Sequence, residues 1–283
     1  YENKIIFNDK FNQKGILMLS IIYKLYGYLF AKNIFRKFNM FLYQISLRGL
    51  GVLNYQSEYL TGEKAWLRGY LKDKVKPIVL DVGANVGNYS KNVLDSNSNC
   101  SLFSFEPHPS TYKKLTLNIT LSNFKPFNVG VGNENGILEL YDYDTKDGSS
   151  HASLYRDVIK DLHKGNPISH SVNIIALDQF LISQNIQAVD LLKIDTEGNE
   201  LNVLLGCKEF LNNRKIKAIH FEFNEMNIVS KVSFKDFFDY LKEYELYRIL
   251  PGGKLLKIKK YSPINCEIYA FQNIVAILKE DRY

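Results

Sequence analysis

VLDVGANVGNYS, Val79–Ser90, decides the fold. A β-branched and aliphatic run ends in Asp81, Gly83 and Gly87 stand four residues apart, and polar residues lead into a helical pattern. A strand that passes into a helix through bare backbone is the entry turn of a βαβ unit. A dinucleotide pyrophosphate asks for G-x-G-x-x-G at that turn, where backbone N–H groups face the anion. The spacing here is D-x-G-x-x-x-G. The Asp81 carboxylate would repel a pyrophosphate and attract an ammonium or sulfonium group. Gly83 and Gly87 are expected to keep the main chain bare so that a ligand can lie against it.

The next apolar run, LFSFEPHP, ends in Glu106, 23 residues after Gly83. A carboxylate there can accept from both hydroxyls of a ribose, and Pro107 stops the strand behind it. A nucleoside joined to a cationic amino acid satisfies both strand ends, and S-adenosylmethionine has that shape. The expected cofactor contacts are Asp81, Gly83, Asn85, Gly87, Asn88, Glu106, Pro107 and Asp195. A nicotinamide-dependent oxidoreductase is disfavoured by Asp81 and by the missing middle glycine.

Around these two stretches, strand-like runs recur at 77–82, 102–105, 127–131, 189–194, 218–223 and 274–278. Helical patterns at 88–94, 110–121, 201–211 and 233–244 separate most of them. Apolar strands alternating with helices predict a mostly parallel, doubly wound α/β sheet whose ligands bind beyond the carboxyl ends of the strands. Residues 135–144 read as an added hairpin or edge strand, and 145–171 as a polar stretch. TGEKAWLRGYL reads as a helix with Thr61 as its N-cap.

Residues 1–75 carry 12 Lys/Arg against 5 Asp/Glu, while 76–283 carry 24 against 25. Nucleic acid is therefore not an expected partner, since the catalytic body is nearly neutral. From Lys10 to Ser57 there is no acidic residue, and Lys10, Lys14, Lys24, Lys32, Arg36, Lys37 and Arg48 are basic. Between Ile16 and Leu47 the apolar positions run almost all round a helix, leaving a polar stripe of Ser20, Lys24, Lys32 and Arg36. Lys24 sits in the middle of the longest weakly charged part, which argues against a membrane span. Residues 1–75 thus form a basic, amphipathic helical extension that packs on the body or lies on an anionic membrane face, and 76–283 form the catalytic domain. Cys100, Cys207 and Cys266 are scattered, with no metal-binding spacing, and no cleavable signal pattern is visible, so a cytoplasmic setting is expected.

The remaining informative stretch is VDLLKIDTEGNELNVLLG, Val189–Gly206. A buried strand carrying Lys193 ends in Asp195, and Glu197, Gly198 and Glu200 form an acidic turn into a helix. Asp195 and Glu197 are expected at the ligand edge, whereas Glu200 suits the helix N-terminus. Strand alternation places His220, Glu222 and Asn224 on one face, with His220 deeper as a core residue. His108 is expected on the adenosine side or in solvent.

The stretches GLGVLNYQSEYLTGE, VLDVGANVGNYS, FSFEPHPSTYKKLTLNI, NVGVGNENG, ALDQFL, LLKIDTEGNE and IHFEFNE together resemble the FkbM-type methyltransferases, over about Gly49 to Leu278. The resemblance implies an S-adenosylmethionine-dependent O-methyltransferase of the seven-stranded Rossmann-like class. It implies a sugar or natural-product acceptor, here a carbohydrate in a glycan or lipid-linked precursor. Methyl transfer to a sugar hydroxyl benefits from a general base. The candidates are Asp195, Glu197, Glu222 and His151, the last in DGSSHAS (147–153), which reads as a substrate lid or a surface loop. Asp195, Glu222 and Asn224 are also hard oxygen ligands that suit Mg²⁺, although a metal-free reaction is the first expectation. A non-catalytic nucleoside-binding module is the alternative from another class.

Overall fold

The computed structural model describes residues 18–144, 148–149 and 151–280, so Lys10, Lys14, Gly15 and Ile16 of the extension and Asp147 and Ser150 of the polar loop lie outside the described residues. The chain divides into two compact units, 1–49 and 50–283.

In the first unit, helix α1 covers 18–30 and α2 covers Arg36–Gly49, with the chain extended at Lys32 between them. The expected continuous polar stripe is thus broken between Lys24 and Arg36. Tyr26 stacks on Phe30 at 4.9 Å and donates to Asn39 Oδ1 at 2.5 Å, joining the two helices. Many large apolar side chains remain exposed, Ile21, Tyr23, Tyr28, Ile34 and Phe41 among them. No helix among the described residues is long and apolar enough to cross a membrane.

The second unit runs α3 (Glu58–Thr61), α4 (Glu63–Leu71), β1 (Ile78–Val82), α5 (Asn88–Ser96), β2 (Ser101–Phe105), α6 (Pro109–Asn118), β3 (Phe124–Phe127), β4 (Gly130–Gly132) and β5 (Gly136–Tyr143). It continues with β6 (Pro167–Ala176), α7 (Leu177–Ser183), β7 (Leu191–Ile194), α8 (Glu200–Leu205), α9 (Lys208–Asn212), β8 (Ala218–Phe223), α10 (Met226–Val229) and α11 (Phe234–Tyr240). A β9 (Tyr244–Leu250) and β10 (Lys254–Lys257) hairpin and β11 (Gln272–Leu278) complete it. The main sheet has the order β10-β9-β11-β8-β7-β1-β2-β3, with β3, β2, β1, β7 and β8 parallel and β11 antiparallel to both neighbours.

The sheet is α/β and mixed, with eight strands rather than the expected seven. The extra strand arises because Pro251–Gly253 turns the chain back, with Gly252 and Gly253 at positive φ, and lays β10 on β9. The strand expected at 127–131 divides. β3 stays on the main sheet, while β4 joins β6 and β5 in a second, three-stranded sheet. The 135–144 hairpin reading corresponds to β5, whose partner β6 occupies the end of the stretch expected to be polar loop.

Strand alternation sorts the core into two layers. Leu80, Val82, Phe103, Phe105, Leu192 and Ile194 face one side and meet α7, α8, α9 and α11. Val79, Leu102, Leu191 and Ala218 face the other and meet Trp66, Leu67 and Leu71 of α4 and Val93 of α5. Because α4 contributes to this core, the compact body begins at Leu50, upstream of the expected boundary after residue 75. Thr61 does not cap α4. Ser57 caps α3 by accepting from Leu60 N, and Gly62 in the left-handed region begins α4.

The two glycines of the entry turn are required by packing. A Cβ on Gly83 (φ +81°) would lie 1.7 Å from the Asp195 carbonyl oxygen, and one on Gly87 (φ +93°) would lie 2.8 Å from Leu115 Cδ1. Bare backbone is thus needed to seat the β1 loop against the end of β7. Gly83→Ala should cost at least ~3 kcal/mol from the positive φ and the overlap together. Gly136→Ala, where a Cβ meets nothing within 4 Å, should stay within about 0.5 kcal/mol when both variants are compared by denaturant titration.

Candidate active site

Two adjoining cavities open beyond the carboxyl ends of β1, β2, β7 and β8. The first lies between Glu106, Pro107, Leu140, Leu154 and Ile174. The second, about 670 Å³, is lined by Glu63, Lys193, Glu222, Asn224 and His151. Gly83, Asn85, Asp195 and Glu197 line both, so the loop after β1 and the turn after β7 form the wall they share.

Glu106 is 6% exposed, and its two oxygens accept from Asn85 N at 2.9 Å and His108 N at 2.8 Å. Each oxygen keeps a second lone pair for a ligand hydroxyl. Burial raises its carboxyl to about 7, against the pull of those two backbone donors. Asn85 adopts φ +49°, and its side chain accepts from Val86 N at 2.6 Å. Asn88 opens α5 and lines the second cavity, while Pro107 lines the first.

Asp81 is placed differently from its expected role. It is 1% exposed, lines neither cavity, and accepts from Ser90 Oγ at 2.6 Å; Ser104 Oγ stands 2.9 Å from that hydroxyl. Alternation turns it down onto the α5 face, where burial raises it to about 6. Asp195, at the end of the neighbouring strand, takes the position facing both cavities.

The acidic turn is held by Glu200, whose Oε1 accepts from Thr196 N, Thr196 Oγ1 and Gly198 N at 3.0 to 3.1 Å. This bonding fixes Glu197 at φ +52°, an uncommon value for a residue with a Cβ. Glu197 Oε1 stands 3.3 Å from His151 Nδ1, and burial raises its carboxyl to about 7. The loop bearing His151 is anchored. Buried Asp142 accepts from Gly148 N at 2.8 Å and Ser149 N at 2.9 Å, and Ser153 Oγ donates to the Glu197 carbonyl at 2.7 Å.

At the floor of the second cavity lies Lys193, 2% exposed. Its Nζ is 3.4 Å from Asp195 and 3.9 Å from Glu63, and no group among the described residues accepts a hydrogen bond from it. Burial pulls this ammonium down, but Asp195, Glu63, Glu222 and Asp81 outweigh it and hold it above the ordinary lysine value. Burial and Asp195 push Glu222 well above the carboxylate range. Lys193 and Glu63 went unremarked as site residues; a lysine inside an apolar strand was the available signal. His220 lies beneath, wholly buried, its ring nitrogens 3.2 Å from Tyr89 OH and 3.0 Å from Asn273 Oδ1. His108 is core rather than solvent-facing, 1% exposed and 3.6 Å from Asp142.

The possible Mg²⁺ cluster of Asp195, Glu222 and Asn224 is occupied by protein groups. The Lys193 ammonium neighbours Asp195, and Asn224 Oδ1 accepts from Met226 N at 3.0 Å. Among the described residues, no group of three or more His, Cys, Asp or Glu side chains is arranged to hold a metal ion.

The FkbM methyltransferase domain matches residues 81–249, which contain both cavity-forming turns. The chain belongs to the FkbM methyltransferase family. It is similar to the 2-O-methyltransferase NoeI of Sinorhizobium fredii, 28% identical over 198 residues, covering 65% of this chain and 78% of that protein. It is similar to the methyltransferase sdnD of Sordaria araneosa, 28% identical over 158 residues, covering 47% of this chain and 61% of that protein. It is also similar to the hexuronic acid methyltransferase AglP of Haloferax volcanii, 27% identical over 166 residues, covering 57% of this chain and 64% of that one.

The enzyme is an S-adenosylmethionine-dependent methyltransferase, and residues lining the first cavity suit parts of that donor. Glu106 offers two lone pairs to a diol beside an apolar wall of Leu140, Leu154 and Ile174, and Asp195 offers a carboxylate to a cationic centre. Glu106→Gln should weaken S-adenosylhomocysteine binding roughly 10- to 100-fold by calorimetry, the loss of charge-assisted hydrogen bonds. Glu106 also links ligand-free stability to pH. Its folded value of about 7 lies above the ordinary 4.5, so the folded protein keeps a proton that the unfolded chain has released. Its contribution is complete below about 4.5 and disappears as pH rises through about 7. Between those limits, Glu106→Gln should flatten the fall of stability with pH.

Proposed function

We propose that this enzyme O-methylates a sugar hydroxyl, with His151 as general base and Glu197 as the carboxylate that orients it. The observation that carries the reading is the 3.3 Å contact between His151 Nδ1 and Glu197 Oε1 in the second cavity, on the wall shared with the first. The activities by which the relatives are named support the acceptor class: one is a 2-O-methyltransferase and another a hexuronic acid methyltransferase.

When bound, S-adenosylmethionine supplies an electrophilic methyl group on a sulfonium sulfur. Glu106 holds the ribose hydroxyls, and Asp195, with Asn85 and Asn88 beside it, faces the amino-acid end of the cofactor. The acceptor hydroxyl lies in the second cavity with its proton toward His151 Nε2. With Nδ1–H donated to ionised Glu197, Nε2 takes that proton as the hydroxyl oxygen becomes the nucleophile. Glu222, its carboxyl pushed up by burial and by Asp195, lines the same cavity and is not assigned as the base. The pocket supplies alignment and a partly dry environment, the main protein contributions to an in-line displacement.

The basic extension, free of acidic residues from Lys10 to Ser57, supports a second element: contact of the N-terminal helices with an anionic membrane face, bringing the site to a lipid-linked acceptor. Deletion of residues 1–49 should abolish co-flotation with anionic vesicles while leaving S-adenosylhomocysteine affinity intact; equal flotation of both forms refutes it.

For the base, His151→Ala should lower kcat by roughly 10²- to 10⁴-fold with S-adenosylhomocysteine affinity retained. Because Glu197 must be ionised and is raised to about 7, kcat/KM should climb with pH around neutrality. In Glu197→Gln that limb should shift. An unchanged kcat in His151→Ala removes it as the base.

A further inference from the structure

The acceptor cavity carries far more acid than its surroundings. Glu63, Asp195, Glu197, Glu222 and Glu225 line it, against Lys193 and His151, in a body whose Lys/Arg and Asp/Glu are otherwise nearly balanced. An acceptor bearing a carboxylate, phosphate or sulfate would bring a further anion into this set, and like charges brought together in a partly desolvated site are disfavoured.

Lys193 does not offer an anion a vacant counter-charge. Its ammonium already stands between Asp195 at 3.4 Å and Glu63 at 3.9 Å, and 5.5 Å from the Tyr89 ring. What it lacks is a hydrogen-bond acceptor: Lys193 lines the cavity, and its buried Nζ has no hydrogen-bond partner among the described residues. A buried donor left unmade is costly. A sugar hydroxyl oxygen satisfies it without adding charge. Tyr55 and Phe271, which also line the cavity, form an edge-on aromatic pair with ring centroids 6.0 Å apart. Apolar ring faces of this kind suit the C–H face of a sugar.

Resting on the sugar-methylating reading above, we propose that the ring entering this cavity is an uncharged sugar. One of its oxygens accepts a hydrogen bond from Lys193 Nζ, and its C–H face lies toward Tyr55 and Phe271. The site thereby rejects hexuronic, phosphorylated and sulfated rings at the position that is methylated.

The test uses the full chain and methyl transfer from labelled S-adenosylmethionine to matched methyl glycosides: hexoses and 6-deoxyhexoses against the corresponding hexuronates. The uncharged member of a pair should show kcat/KM higher by roughly 100-fold or more. Lys193→Met should raise KM for the uncharged glycoside at least tenfold, a larger change than in its S-adenosylhomocysteine affinity measured by calorimetry. Hexuronates methylated as well as, or better than, their uncharged partners overturn the inference and leave sugar methylation standing. Unchanged kcat/KM in Lys193→Met overturns the Lys193 contact. No transfer to any glycoside, with S-adenosylhomocysteine still bound, defeats the sugar reading and this inference together. Should Lys193→Met fail to fold, the wild-type comparison decides the outcome alone.

Discussion

The ammonium of Lys193 is the interaction on which the site depends. A lone charge buried in a sheet is expensive, and so is a cluster of buried carboxylates. Here each makes the other tolerable: Asp195, Glu63, Glu222 and Asp81 keep Lys193 charged, and Lys193 draws the first two toward one point. Glu63 begins α4, Asp195 follows β7 and Glu222 lies on β8. One cation thus connects an element upstream of the first strand to the ends of two central strands. This is part of why the segment before β1 belongs to the catalytic body.

Around that cation runs a polar row. Ser104, Asp81, Lys193 and His220 are neighbours in register across β2, β1, β7 and β8, all on the face of α4 and α5. One pleat deeper on the same face the residues are Leu102, Val79, Leu191 and Ala218, all apolar. The sheet therefore changes from core to site within two residues of each strand. The acid–base groups stand above this row on a turn held in an unfavourable conformation. Left-handed backbone at a residue such as Glu197 costs of order 1–3 kcal/mol, and the hydrogen bonds to Glu200 Oε1 offset it. The strain serves position, since the Glu197 side chain reaches both cavities.

Several of these features were legible in the chain. The strand ending in Asp81, the carboxylate at Glu106 and the KIDTEGNE turn located the edge of the sheet where the two cavities open, because residues at strand ends in a parallel sheet converge there. Glu200 behaves as its place at a helix start suggests. Other readings failed for a common reason. Asp81 reads as a ligand carboxylate until the neighbouring strand and α5 are in place, with Ser90 waiting beneath it. Gly83 and Gly87 read only as room for a ligand, whereas Asp195 and Leu115, remote in sequence, also require them to be bare. Thr61 reads as a cap beside a helix that starts from Gly62.

What the sequence by itself determined is periodic or local: parallel strands from apolar runs, the glycine turn, the acidic turn, the basic and acid-free N-terminal stretch. Tertiary structure alone decided the rest. It laid β10 on β9 as an eighth strand and split the third apolar run between two sheets. It brought His151 to Glu197 across 46 positions of chain and set Lys193 among carboxylates from three elements. The physical reason is that periodicity reports which way a side chain faces relative to its own strand or helix. Charge pairing, desolvation and close backbone approach depend on neighbours that only the folded chain supplies.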